Sequence, residues 1–419
     1  MKPQSTAMGD NMISMEEALR IIQANTARPR VQECSLEEAT AKYLAEDIRA
    51  PEPSPRYTNS AMDGFAVRLE DIREAAPEAP AVLKIVGESR AGVPFSGSVQ
   101  SGEAIRINTG AMLAKGCDTV VRVEDTEEAE NETVRILTTK RHGQDVRHRG
   151  EEFGLNDPLL AQGTRIAAPQ AALLAAVGIE RLKVFAPPRI ALAVTGSELA
   201  APGVTIADHQ IRDSNMIMLK SAVQEAGATL VSANRVDDDF RTTVEVVEQA
   251  AKTADIILCT GGVSVGRHDN VKEAAEANGF APLFWRVLQK PGKPLYFARK
   301  GETLLFGLPG NPVSAFMCFT HYIRPLLGAL SGRPFGWPTI SAEATADIAN
   351  SGKRAAMVRV RLKRDDDGVH HIHEVEQQGS HMLTSLCFAD GYIILGPQQT
   401  LSAGERGKVY LFDFQKETT

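Results

Sequence analysis

The period of the apolar positions changes four times along this chain, and each change predicts a new part of the fold. Residues 14–47 carry two short amphipathic stretches. In the first, Ala18, Ile21 and Ile22 fall at helical spacing behind Ser14, with Glu17 three residues on as in a capping box. From about Pro51 to His142, Pro, Gly and Ser punctuate runs of period two, VLKIVG, EAIRIN, TVVRVE and ETVRIL, which predict a β module. Helical spacing returns in PQAALLAAVG, within residues 145–186. This order predicts a discontinuous helical lobe, 11–50 with 145–186, interrupted by an inserted β lobe of residues 51–144.

Pro187-Pro188 marks the next boundary. Over residues 187–331 the apolar runs RIALAVTG, TLVSANRV, DIILCTGG and LLFGLPG end in turn residues and alternate with helical spacing, as in Met216, Leu219 and Val223, then Val244, Val247 and Ala251. Buried strands alternating with helices predict a doubly wound, mostly parallel α/β layer. Beyond SGRPFGWP, residues 332–419 return to strands: MVRVRLK, a DDDG turn, VHHIHEV, YIIL and VYLFDF predict a small β domain. Arg359, Arg361 and Lys363 alternate on the first of these and read as a solvated face, without the interleaved aromatics of a nucleic-acid platform. His371 and His373 share a face beside DDDG and read as a solvated hairpin rather than a metal site.

Composition narrows the class of protein. A length of 419 residues suits two to four domains, and 43% apolar with 24% charged residues is ordinary globular composition. With 46 Lys and Arg against 53 Asp and Glu, the net charge of −7 supplies no broad electrostatic footprint for nucleic acid or an anionic membrane. The longest apolar runs, such as Ala171–Val177, fall far short of a spanning helix, and the start MKPQSTAMGDNM lacks a signal-peptide h-region. A cytoplasmic protein is expected. Five scattered cysteines without CxxC spacing predict reduced, structural thiols.

Candidate chemistry gathers where strands end. In CTGGVSVGRHD, Gly261, Gly262 and Ser264 follow a buried strand and precede a helix, so freed backbone N–H groups can seat a phosphate or another oxyanion. A glycine turn without ligand fits the pattern equally well. In LPGNPVS, Pro309, Pro312 and Ser314 shape a second loop of this kind, with Pro312 at a helix N1 position. Both loops fall at carboxyl ends of strands, where open α/β sheets bind ligands. Glu198, Asp237–Asp239 and Asp269 gather at the same edge, a hard-oxygen set suited to Mg²⁺, although Asp239 and Asp269 taken singly read as N-caps. Gln289-Lys290-Pro291-Gly292-Lys293-Pro294 aims two ammonium groups from a proline-stiffened turn, as a tetrahedral dianion requires. Nearer the N-terminus, SAMDGFAV sets Asp63 in a turn, RINTG ends a strand at Thr109, and VRHRGEEF packs Arg147 and Glu152 into a polar loop.

Taken in series, SAMDGFAV, RINTGA, VRHRGEEF, AVTGSEL, CTGGVSVGRHD, KPGKP, GLPGNPVS and QGSHMLTS resemble the MoeA family, the molybdopterin molybdenumtransferases, over nearly the whole chain. The resemblance implies a MogA-like three-layer α/β domain at 187–331, a helical and β N-terminal pair of lobes, and a small C-terminal β-barrel at 332–419. It implies Mg²⁺-dependent insertion of molybdate into adenylylated molybdopterin with release of AMP, by a homodimer whose pathway partner is a molybdopterin adenylyltransferase-like protein. A tungstate-preferring insertase and a non-catalytic scaffold like the gephyrin E domain are the alternatives. By motif, Asp63, Thr109, Arg147 and Glu152 match positions in the family's active cleft, across the dimer interface. Glu198, Asp238 and Asp269 match acidic, metal-holding positions, Lys290 and Lys293 its lysines, and Ser380 a C-terminal position. The pattern departs at Ser197, Thr260, Phe65 and Ala114, where the family often has Asp, Ser, Tyr and Pro.

Overall fold

The computed structural model describes residues 12–263 and 270–412. It forms two compact units: Met1–Glu33 with Lys183–Thr419, and Cys34–Leu182.

The first unit opens with helix Met15–Ala24, where Ser14 Oγ accepts the Glu17 N–H at 3.1 Å. The Glu17 carboxylate pairs with Arg20 (2.8 Å to Nε), so only the serine half of the capping box forms. Met15, Ala18 and Ile22 are buried in one core with Ile190, Leu192, Leu258, Phe306 and Phe319. That core is built on a six-stranded sheet with the spatial order Thr229–Val236, Arg189–Thr195, Ile256–Thr260, Thr303–Leu308, Tyr296–Lys300, Ala281–Trp285. The first four strands are parallel and the last two antiparallel, so a doubly wound sheet carries a hairpin at one edge. Alternate residues serve opposite faces. Ile190, Leu192 and Val194 pack with helix Asn215–Glu225 and the helical run 312–330, while Ala191 and Ala193 pack with helices Phe240–Thr253 and Asn270–Ala277. The result is three layers.

Strands Ala355–Arg364, His370–Glu374, Thr339–Ala344, Arg406–Leu411 and Gly391–Leu395 pair in that order, and the last pairs back onto the first. Closure makes a five-stranded barrel around Ala342, Val358, Val360, Ile372, Ile393 and Val409. The sequence pattern misreads one residue on its longest strand. Arg361 and Lys363 are exposed, but Arg359 is fully buried, because the Gln377–Gly379 segment folds back over it and takes hydrogen bonds from Arg359 Nη2 at 3.1 and 3.4 Å. Periodicity identifies a face without saying what covers it.

In the second unit the strands Thr119–Arg122, Gly64–Val67, Glu103–Ile107, Ala81–Ser89, Thr133–Ile136 and Thr126–Ala129 form one sheet in that order. Phe65, Val67, Ile72, Leu83, Ile85, Val121 and Val134 are buried together on it. Gly64 is obligatory, since a Cβ there would lie 1.9 Å from the Val121 carbonyl oxygen. The second amphipathic stretch of the N-terminal region is not a helix: strand Val31–Ser35 is followed by a single 3₁₀ turn, Glu37–Ala39. Val31–Ser35 is taken up by its pairing with strand Arg181–Phe185, and the left-handed Ala41 (φ 65°) turns the chain just after the 3₁₀ turn. The helix expected in PQAALLAAVG spans Ala168–Ala176. Among the described residues, no helix is long and apolar enough to cross a membrane.

Candidate anion and metal site at the sheet edge

Four parallel strands of the α/β sheet end on one edge, and polar residues follow each. After Arg189–Thr195 come Gly196, Ser197 and Glu198; after the neighbouring Thr229–Val236 comes the acidic triplet. Asp239 caps helix Phe240–Thr253 by accepting the Thr242 N–H at 2.8 Å, a bond that also holds its carboxyl below the usual range. Asp238 instead reaches across to the next loop, where its Oδ2 accepts from Ser197 N–H at 3.2 Å and Ser197 Oγ at 3.3 Å. The register within the triplet therefore separates a capping carboxylate from one turned toward the loop that carries Glu198. The Glu198 carboxylate lies over Gly196, where a Cβ would stand 2.8 Å from Oε2.

Strands Ile256–Thr260 and Thr303–Leu308 are adjacent, so the two glycine and proline loops are neighbours. Gly261 and Gly262 adopt φ of +83° and +61°, and a Cβ on Gly261 would strike the Thr195 carbonyl at 2.6 Å. Gly261 N–H donates to Leu308 O at 3.2 Å. Ser264 and Asp269, the other two residues singled out in this motif, lie outside the described residues. Pro309 leads to Asn311, the N-cap of helix Pro312–Cys318, and Ser314 is buried in its first turn.

Lys290 and Lys293 reach the same edge by the antiparallel hairpin. Tyr296 pairs with both Gly307 and Trp285, which brings the intervening loop beside the carboxyl end of Thr303–Leu308. From beneath, buried Gln289 donates to Gly292 O at 2.8 Å and accepts from the Tyr322 hydroxyl. Gly292 (φ +85°) sits where a Cβ would collide with Cys318 Sγ at 2.5 Å. The turn is anchored from below, leaving Lys290 exposed and Lys293 half-buried. Ser380 joins this edge from the barrel domain: its Oγ accepts from Asn311 Nδ2 at 3.0 Å.

Sequence reasoning missed four residues of the first unit. Asn215, buried at the start of its helix, donates to Thr260 Oγ1 and Gly310 O, both at 2.8 Å, and so ties the two loops together. Asp213 accepts the Met216 N–H at 2.9 Å. The signal was the Asp-Ser-Asn string, which looks like an ordinary helix start. Asn311 was read only as part of a rigid turn. Arg359 holds the Gln377–Gly379 backbone that leads into Ser380, and its Nε and Nη1 have no partner among the described residues. Burial pushes its guanidinium down to about 10.

In the second unit, Asp63 Oδ1 accepts the Thr109 N–H at 2.7 Å, which holds the carboxyl below the usual range. Arg147 is exposed and pairs in a two-residue ladder with Asn59, and Glu152 accepts from Ser54 Oγ at 2.7 Å. Backbone bonds from Ser60 to Ala111 and from Ala61 to Asp145 lace these loops together. The four residues thus belong to one polar loop cluster of this unit.

Chemically, the α/β edge offers what an oxyanion substrate and a hard cation need. Two carboxylates stand on adjacent loops, suiting Mg²⁺, which takes one or two carboxylates and fills its shell with water and substrate oxygens. Among the described residues, no three His, Cys, Asp or Glu side chains are grouped so that they could hold a metal by themselves.

Comparison with known proteins places the chain by family and fold. Residues 13–178 match the MoeA N-terminal region (domain I and II), 191–329 a probable molybdopterin binding domain, and 341–412 the MoeA C-terminal region (domain IV). The chain is 32% identical over 375 residues to a molybdopterin molybdenumtransferase of Haemophilus influenzae, covering 88% of this chain and 91% of the relative. It is 35% identical over 408 residues to molybdopterin molybdenumtransferase 2 of Mycobacterium tuberculosis, covering 96% and 100%. A crystal structure of a molybdopterin biosynthesis MoeA protein from Pyrococcus horikoshii superimposes with a TM-score of 0.85 at 30% identity, over 96% of this chain and 100% of that one.

Proposed function

The chain belongs to the MoeA family, and from that premise we propose how its sheet edge performs the transfer of molybdenum to molybdopterin. It is a transferase of molybdenum cofactor biosynthesis. In our reading the substrates are molybdate and adenylylated molybdopterin, AMP is released, and the enzyme works as a homodimer in the cytoplasm beside an adenylyltransferase-like partner. Four parts divide the work: 11–50 with 145–186, 51–144, 187–331 and 332–419.

Lys290 and Lys293 supply point charges to the molybdate dianion from a turn held beneath by Gln289 and Tyr322. Gly261 and Gly262 let the backbone approach the adenylyl phosphate, and with the Gly261 N–H held by Leu308 O it is the Gly262 N–H that compensates its negative charge. Glu198 and Asp238 would hold Mg²⁺, and Ser197 orients the Asp238 carboxylate by two hydrogen bonds. When bound, Mg²⁺ supplies Lewis-acid neutralisation of the phosphate oxygens. Ser380 and Asn311 contribute hydroxyl and amide groups beside the lysines, and buried Arg359 fixes the backbone that presents Ser380. Asp63, Thr109, Arg147 and Glu152 are substrate-handling residues of the second unit. The dithiolene sulfurs belong to the pterin, so the chain needs position and charge rather than a cysteine cluster.

The observation that carries this reading is the convergence of Glu198, Asp238, the glycine turn, the Pro309–Pro312 loop and the lysine turn on one edge of one sheet. The test mixes purified protein with adenylylated molybdopterin, Mg²⁺ and either molybdate or tungstate, and follows nucleotide and metal. AMP release with molybdenum incorporation is expected. Binding without AMP release identifies a scaffold, and a tungstate preference identifies the other insertase; either outcome overturns the proposal.

A further inference from the structure

Trp285 ends the outermost strand of the sheet, and its register opposite Tyr296 sets it at the same edge as the glycine turn. Its indole Nε1–H donates to the carbonyl oxygen of Val263 at 2.9 Å. Val263 is the residue through which the chain leaves that turn. It is only 2% exposed, and its side chain packs over Gly307, where a Cβ would come within 2.4 Å of Val263 Cγ1. The turn is therefore held at its start by the Gly261 N–H to Leu308 O bond, and at its exit by Gly307 below and Trp285 beside it.

An aromatic ring at an anion site suggests a stacking platform for a base or a pterin. The cations over this ring argue otherwise. Lys272 Nζ lies 3.4 Å and Arg286 Cζ 3.9 Å from the ring centroid, so protein cations already occupy the π surface. What remains for function is the edge of the indole. Lys272 belongs to helix Asn270–Ala277, so the same ring also links the helix beyond the glycine turn to the sheet.

We infer that Trp285 is a positioning residue: its indole N–H fixes the Val263 peptide at the exit of the turn, and with it the direction of the backbone N–H that Gly262 offers to the adenylyl phosphate. This rests on the reading of the glycine turn as the phosphate seat. A hydrogen bond that only orients a binding loop affects substrate affinity more than the chemical step. Its loss raises KM by roughly three- to tenfold, the scale of one neutral hydrogen bond, and leaves kcat within about twofold.

The test uses full-length protein in a W337F background, so that Trp285 is the sole tryptophan. Two analogues replace it: benzothienylalanine, which keeps the bicyclic shape without the N–H, and 5-fluorotryptophan, which keeps the donor. KM for adenylylated molybdopterin, kcat and thermal midpoint are measured for both and for Trp285→Phe. The expected result is a raised KM for benzothienylalanine and Phe, a normal KM for 5-fluorotryptophan, and midpoints for the two analogues within a few degrees of each other. Equal KM for the two analogues overturns the inference, as does a kcat loss with unchanged KM. The Phe variant keeps the question answerable if the sulfur analogue does not fold. Absence of nucleotide release by the unsubstituted protein overturns the proposed function itself, and this inference with it.

Discussion

Asn311 and Ser380 lie 69 residues apart in the chain and meet at 3.0 Å, the amide nitrogen of a proline loop donating to a hydroxyl from the barrel domain. The contact is solvent-accessible and adds little to folding. Asn311→Ala and Ser380→Ala are each expected to leave stability within about 0.5 kcal/mol and to lower kcat/KM. The double variant should lose less than the sum, by a coupling of about 0.5–1.5 kcal/mol. Steady-state kinetics of the four proteins, with urea melts alongside, measure it.

Ser197 and Asp238 set a metal prediction. Chelation by EDTA should stop nucleotide release, and Mg²⁺ should restore it. Glu198→Gln and Asp238→Asn should each raise the Mg²⁺ concentration for half-maximal activity by about tenfold or more. Ser197→Ala removes the two hydrogen bonds that the Ser197 hydroxyl makes with Asp238 but keeps the backbone N–H bond to the carboxylate and removes no ligand, so its shift should be smaller, on the order of threefold to tenfold. Activity indifferent to Mg²⁺ in all three variants would count against the assignment.

His321 is buried, 2.8 Å from the Tyr392 hydroxyl and stacked on Trp337, and desolvation lowers its pKa from 6.5 to about 3. The folded state refuses a proton that the unfolded chain accepts below pH 6.5. Stability therefore falls as pH drops from 6.5 toward 3, with a slope of about 1.4 kcal/mol per pH unit from this residue alone. Denaturant melts of wild type and His321→Phe across that window should show the variant with a shallower dependence.

Gly64→Ala should cost roughly 3 kcal/mol or more, because its methyl group would lie 1.9 Å from the Val121 carbonyl in a central sheet strand. Limited proteolysis should show cleavage concentrated within Cys34–Leu182. A melt matching wild type would show that the sheet yields there.

Some of this architecture is written locally and some is not. Period-two runs such as EAIRI and TVVR mark strands because alternate residues serve opposite faces, Ala104 and Val121 in one core and Ile105 and Val120 in another, and Gly64 and Gly292 mark close approaches because no other residue fits. Spacing does not name neighbours. Nothing in Tyr296–Lys300 says that it runs antiparallel to Thr303–Leu308, yet that reversal is what brings Lys293 to the edge. Asp238 and Asp239 look alike in sequence and part only because Asp239 stands at the N-cap of the following helix and the loop across the edge carries Ser197. Asn215 was legible as a helix start but not as a tie between loops 45 and 95 residues away. Arg359 was misread because the segment that covers it begins 18 residues further along the chain, at Gln377.

Helix Met15–Ala24 leaves the ribosome early, yet the apolar partners of Met15, Ala18 and Ile22 begin at Ile190. Until more than a hundred further residues have been made, it has an oily side and nothing to press it against. The stretch Cys34–Leu182, in contrast, carries its own buried cluster and can close as soon as it is synthesised. Biogenesis of this enzyme should thus run from the middle of the chain outward. A shortened gene product lacking its first thirty residues would emerge with a greasy groove along the α/β layer, the kind of lesion that chaperones retain and proteases find.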